Sequence, residues 1–377
     1  MRFMTTFAMF CGGVFLLLAG AGAAEASPEP GVVIDQAGTV HVPALEVPLS
    51  SYMSEQAKQA FIMDANAAST KPPWQSLSIA ELRARGESHM QKFVDRAREV
   101  YPVTIEAKKF GGVPATVILP QGGVSAANKD RVLINVHGGG FYMGAGPEAL
   151  IQSIPVAALG KLKVITVDYR QGPEYKFPAA SEDTAAVYRD LLRSYKPRNI
   201  GIYGCSAGGI LSAMTVAWLE KEKLPLPGAM GIFGAGAFGG WYDDPALPGS
   251  WGGDSHFTAP PLVGENPLPI DASRAPPLPE YVSAYLSGAD PKDPLVSPAL
   301  SPSVMSKFPP TLLITGTRAF DLSVAVQTQR VLTKAGVEAD LHVWDGMGHC
   351  FFYDVDLPES QEAYSVMTKF FMTRLGR

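Results

Sequence analysis

Ser206, Asp321 and His349 are the residue types of a proton-relayed nucleophile, and they fall along the chain in the order serine, acid, histidine. A serine hydroxyl is a weak nucleophile at neutral pH. It needs a base to take its proton, and an acid to fix the base's tautomer and stabilise the imidazolium that forms. Ser206 sits in GCSAG, residues 204–208, a G-x-S-x-G between the strand-like NIGIY and the helical GGILSAMTVAWLEKE. In that context small neighbours let a strained serine project from the end of a sheet. The amino end of the helix adds partial positive charge beside a developing oxyanion.

Five of the six histidines separate by position. His342 lies inside a strand, His41 precedes the domain, His89 is on an early helix and His137 starts a glycine run. His349, in DGMGHCFF, follows the last strand in a loop and fits the expected chain order. Glycines 138–140 follow another strand, and a loop so free of Cβ atoms can turn its amides toward a reacting carbonyl. Gly139, Gly140 and Ala207, the residue after the serine, are the expected oxyanion donors. The glycine run is not a phosphate loop of the G-x-x-x-x-G-K type, because no Lys-Ser/Thr follows.

These motifs jointly resemble the hormone-sensitive-lipase-like family of α/β-hydrolase esterases. The matching stretches are His137-Gly138-Gly139-Gly140, VDYRQGPEYKFPAA at 167–180, GCSAGG at 204–209 and DPLVSP at 293–298, with PPTLLITG and HCF beside them. The likeness runs from about residue 100 to the end. It implies a mostly parallel central sheet with helices on both faces, a cap over the strand carboxyl ends, no cofactor or metal, and hydrolysis of carboxylic esters, commonly with short acyl chains.

Two positions depart from the family pattern. Cys205 stands where an Asp usually precedes the nucleophile; Cys205 as nucleophile would be one place off the turn. Ala319 stands where the acid is usual, and Asp321 comes two residues later, competing with a simple role as cap of the helix beginning near Leu322. Asp293 is the reserve acid, and Asp345 stands too close to His349 in sequence. Asp168 and Arg170 are expected to lock loops by buried pairing. Phe141, Tyr142 and Tyr242 are candidate substrate contacts, with Trp241 and Phe352 as further aromatic candidates and core packing as the competing role.

The elements needed to position these groups are legible in the same chain. Short apolar runs at 132–136, 163–169, 199–204, 229–236, 311–316 and 339–344 alternate with helix-length segments, the pattern of a parallel sheet covered on both faces. Before them, VTIEAKKFGGVPATVILPQGG reads as an antiparallel hairpin turning at Gly111-Gly112. Ser50 to Ser69 and Ser78 to Val100 read as helices, the second with a Ser78–Glu81 capping box.

Residues 1–26 carry Arg2, an apolar run too short for the roughly 20 residues of a membrane span, and an A-x-A ending, the order of a cleaved signal peptide. Residues 27–100 are expected to hold a lead-in and cap helices. Residues 101–377 form the catalytic domain, with a Pro-, Gly- and Trp-rich cap insertion at about 239–310. The expected location is periplasmic or secreted, with no stable membrane insertion after the signal is removed.

At 46% hydrophobic and 18% charged the chain supports a large core, and a net charge of −5 without charge blocks points away from nucleic acid. Of three cysteines, Cys11 leaves with the signal, and Cys205 and Cys350 are too few for a disulfide framework. A bridge between those two is one hypothesis. The expected partner is a small-molecule ester; a homodimer is left open. The expected activity is a serine carboxylesterase. A lactone hydrolase with the same triad and a silent small-molecule binder are the alternatives, Ala319 being the feature that favours the binder.

Overall fold

The computed structural model of the chain describes residues 31–36, 40–41, 48–68, 76–239 and 280–376. The expected signal peptide at 1–26, residues 240–279 of the expected cap insertion, and Trp241 and Tyr242 lie outside the described residues. The chain divides into two units, Met1–Pro48 and Leu49–Arg377. In the first, β1 (Val33–Ile34) pairs antiparallel with β2 (Val40–His41).

The second unit is built on an eight-stranded sheet. Its strands are β3 (Val103–Phe110), β4 (Val113–Pro120), β5 (Val132–Val136), β6 (Lys163–Val167), β7 (Ile200–Cys205), β8 (Ala229–Phe233), β9 (Thr311–Gly316) and β10 (Ala339–Trp344). They lie in the order β10-β9-β8-β7-β5-β6-β4-β3. The β3–β4 hairpin turns at Gly111 and Gly112, both at positive φ, and joins β6 antiparallel through β4. From β6 to β10 every pairing is parallel.

The helices are α1 (Glu55–Ala68), α2 (Ile79–Val100), α3 (Pro147–Gly160), α4 (Ala179–Leu191), α5 (Ala207–Lys221), α6 (Glu280–Ala284), α7 (Pro302–Met305), α8 (Leu322–Lys334) and α9 (Pro358–Arg374). α2 starts with the expected box: Glu81 N–H donates to Ser78 Oγ while Ser78 N–H donates to the Glu81 carboxylate. α1 begins five residues later than the apolar pattern suggests. Among the described residues no helix is long and apolar enough to cross a membrane.

Strand periodicity sorts the core into two layers. Val132, Ile134 and Val136 of β5 pack with residues of α4, α5 and α8, whereas Leu133 packs with residues of α2, α3 and α9. All five β5 residues are therefore buried, which is why central strands read as continuous apolar runs.

The chain leaves β5 for β6 on one side, then returns to place β7 on the other. Strand order reverses there. Such a switch point opens a crevice at the strand carboxyl ends, and the glycine loop after β5 and the serine turn after β7 both lie at it.

Candidate active site

The turn after β7 is held in a conformation that L-residues rarely adopt. Ser206 has φ 60° and ψ −129°, its N–H donates to Phe233 O at 2.8 Å, and it is 7% exposed. The flanking glycines are a packing necessity. A Cβ on Gly204 would stand 2.2 Å from Val136 O, and one on Gly208 only 2.0 Å from the same oxygen. The turn is thus pressed against the end of β5, the strand that carries the glycine loop.

Gly138 completes that contact, since a Cβ there would lie 2.9 Å from Cys205 O and 3.2 Å from Ser206 Cβ. Gly139 and Gly140 follow at φ +91° and +63°. Ala207 is the first residue of α5, so its N–H has no acceptor within the helix. The expected oxyanion donors thus lie on two elements, the start of α5 and the glycine loop, which meets Ser206 through Gly138. His137 supports the loop from below: its Nδ1 is 2.8 Å from Gly138 O, its ring stacks on Tyr169, and the Tyr169 hydroxyl donates to His137 O. Burial pushes the His137 imidazole down to about 4, partly offset by the Gly138 carbonyl. It is a neutral prop that donates through Nδ1–H.

Of the three candidate acids, the structure brings Asp321 against His349. His349 Nδ1 lies 2.6 Å from Asp321 Oδ1, and the second oxygen, Oδ2, accepts from the Thr315 hydroxyl at 2.6 Å. Asp321 occupies the cap position of α8, yet its side chain makes no capping bond. The carboxylate is 2% exposed, so solvent competes little for the imidazole. Ala319 is buried in the turn between β9 and α8, and two further residues bring the acid round. The reserve acids are engaged elsewhere. Asp293 Oδ1 accepts from Leu295 N–H in a turn, and the Ser50 and Thr317 hydroxyls hold the Asp345 carboxyl below the usual carboxylate range.

The other candidates divide between core and surface. Phe141 is fully buried with its ring flat on Tyr285, 4.7 Å between centroids, so it belongs to the core and not to a pocket wall. Phe352 is likewise buried, against Phe233 and Tyr364. Tyr142 is half-buried and meets Tyr281 edge-on. Arg170 pairs with Asp183 and Glu182, whereas Asp168 is exposed.

Several supporting groups escaped the sequence reading. Phe320 stacks on the His349 ring at 4.3 Å. Arg83 of α2 donates to Tyr142 O and Gly172 O and pairs with both oxygens of Glu174, fastening α2 to the glycine loop. Gln152 accepts from Cys205 N–H and donates to the Tyr353 hydroxyl, which donates to Glu148. Their partners are distant in sequence, and no local pattern announces them. Cys205 and Cys350 are joined as a disulfide. Among the described residues, no group of three or more His, Cys, Asp or Glu side chains is arranged to hold a metal.

A family model described as the α/β-hydrolase fold matches residues 133–353, which take in the glycine loop, the serine turn, Asp321 and His349. The chain belongs to the α/β-hydrolase fold family. Within it, this hydrolase is hormone-sensitive-lipase-like. An acetyl-hydrolase of Streptomyces hygroscopicus is 29% identical over 291 residues, covering 75% of this chain and 91% of that one. An esterase of Acinetobacter venetianus is 24% identical and covers 74% and 87% of the two. Among solved structures, esterase E25 superposes with a TM-score of 0.71 at 28% identity, over 89% of this chain and 98% of that one. An esterase of the bacterial hormone-sensitive lipase family gives 0.68 at 27% identity, over 86% and 99%.

Proposed function

We propose that this hydrolase is a serine carboxylesterase that cleaves small carboxylic esters through a covalent acyl-enzyme on Ser206. That it is an ester hydrolase of the α/β fold rests on its family and its esterase relatives; the single observation that carries the mechanism is the Asp321–His349 hydrogen bond. Asp321 holds Nδ1–H, which leaves Nε2 as the proton acceptor. His349 takes the Ser206 proton as Oγ attacks the carbonyl carbon, and the amides of Gly139, Gly140 and Ala207 receive the oxyanion. The imidazolium then protonates the departing alcohol. Water, deprotonated by the same histidine, releases the acid and restores Ser206.

The acetyl-hydrolase among the relatives and the family resemblance support a short acyl group. Lactones, whose leaving group stays tethered, belong in the same panel of substrates. The Asp321–His349 contact supports the esterase over a silent binder, because it offers an acid where Ala319 has none. The order of features at 1–26 supports export, and a disulfide suits an oxidising compartment; amino-terminal sequencing of protein from the periplasm or medium checks this, with Ser27 expected first.

The deciding assay is hydrolysis of p-nitrophenyl acetate, butyrate and octanoate by wild type and Ser206→Ala. The expectation is faster turnover of the acetate and butyrate and loss of at least 10³-fold in kcat for the variant. Equal rates for the two proteins would overturn the assignment.

A further inference from the structure

Two covalently joined residues flank the two groups that must exchange a proton. Cys205, the last residue of β7, immediately precedes Ser206; Cys350 immediately follows His349; their sulfurs are bonded, with 6.4 Å between Cα atoms. Both cysteines are buried. One residue of each pair also holds a positive φ, Ser206 at 60° and Cys350 at 49°.

The imidazole lies directly against this bridge. His349 Nε2, the nitrogen turned away from Asp321, stands 3.5 Å from Cys350 Sγ. Gly234, just past β8 and at φ +52°, marks where the parts converge. A Cβ there would lie 3.0 Å from Cys350 Sγ, 3.1 Å from Cys205 Sγ and 3.1 Å from His349 Cε1. A second tie runs alongside: Cys205 N–H donates to Gln152 Oε1, and Gln152 Nε2 donates to the hydroxyl of Tyr353, three residues past Cys350.

We infer that the Cys205–Cys350 disulfide is the positioning element of the base, setting His349 against Ser206, and that Cys205 and Cys350 are positioning residues for ester hydrolysis. The inference rests on the assignment of Ser206 and His349 above. His349 is carried by a loop beyond β10, at the sheet edge and three strands from β7. Proton transfer requires its Nε2 to return to within about 3 Å of the serine oxygen. Misplacement by about 1 Å costs on the order of 10²-fold in rate. Asp321 holds the far side of the ring and Phe320 one of its faces, but both stand on the β9–α8 turn, not on the serine turn. The bridge is the covalent tie from the histidine loop to the serine turn. It also leaves no S–H beside Nε2, so no thiol donates to the lone pair that must accept the serine proton.

The test begins with mass mapping of the oxidised full chain, denatured and treated with iodoacetamide. Cys205 and Cys350 are expected unlabelled, and labelling of both would overturn the inference. Kinetics with p-nitrophenyl butyrate then compare wild type, Ser206→Ala and Cys205→Ala/Cys350→Ala. The double variant is expected to show a kcat at least tenfold lower, KM within about twofold, and burst and steady-state rates reduced together, because His349 serves both acylation and deacylation. A folded double variant that keeps kcat within twofold of wild type would overturn the inference.

Should the double variant not fold, wild type reduced with a phosphine and alkylated in its native state takes its place. The same loss is then expected, and retained activity overturns the inference. If Ser206→Ala is inactive while the double variant keeps its rate, the bridge alone has lost its role. If Ser206→Ala is as active as wild type, the assignment of the nucleophile fails first.

Discussion

Asp321, the proposed triad acid, stands two residues past the position where the family pattern places its Asp and still meets His349. The carboxylate is set by the turn between β9 and α8, by the Thr315 hydroxyl and by Nδ1 of His349. Asp321→Asn should therefore keep the fold while losing about 10³–10⁴-fold in kcat, since an amide neither stabilises imidazolium nor holds the correct tautomer; steady-state kinetics beside circular dichroism check this. His137 gives a second prediction at this scale. Its folded pKa of about 4 lies below the ordinary 6.5, so the unfolded chain binds the proton first as pH falls. Stability is present above about pH 6.5 and is lost as pH falls toward about 4, by about 3 kcal/mol in full. His137→Asn should flatten that part of the profile, read from urea midpoints at pH 7 and 4.5. The serine, the histidine and the glycine loop were legible because their neighbours must be small or in chain order. Phe320, Thr315 and Gln152 were not, because what selects them is a partner brought close by folding.

At the scale of elements, helices outside the sheet hold the loops of the proposed site. α2 fastens to the glycine loop through Arg83, whose guanidinium reaches two carbonyls and a carboxylate at once. Charge-assisted bonds of this kind contribute about 1.5–3 kcal/mol, and their planar fork is not reproduced by lysine. Arg83→Lys is expected to lower Tm by a few degrees and kcat several-fold, checked by calorimetry and the butyrate assay; unchanged kinetics would make α2 a purely structural neighbour. All six parallel strands and the hairpin were readable from apolar runs and the Gly111-Gly112 turn. The start of α1 was not. Ser50 to Ser54 share the apolar spacing yet precede the helix, where Ser54 donates through N–H and Oγ to Glu359 of α9 and its Oγ caps Ala57 N–H. A tertiary carboxylate decides that boundary.

Across the whole molecule, the disulfide closes a loop of 145 residues that spans β8, α8 and β9. Chain-entropy arithmetic for a loop of that length gives about 5 kcal/mol, and measured losses from native bridges run about 2–5 kcal/mol. A core spread over both faces of eight strands was the only source of stability the cysteine count suggested. The bridge adds a covalent share. Urea unfolding with and without a dithiol, which supplies two electrons and two protons and is itself oxidised to a disulfide, should show a lower midpoint under reduction. An unchanged midpoint would mean that the bond contributes nothing to global stability.

The same bond ties two stretches of chain into one analytical species. Trypsin cuts after Arg198 and Lys221, and after Lys334 and Lys369, with no lysine or arginine inside either stretch. Without reduction, residues 199–221 and 335–369 leave the digest as one cross-linked fragment that carries both Ser206 and His349. Its mass reports whether the sulfurs are joined. After treatment with a serine-directed phosphonate, the same peak reports how much of the nucleophile has reacted.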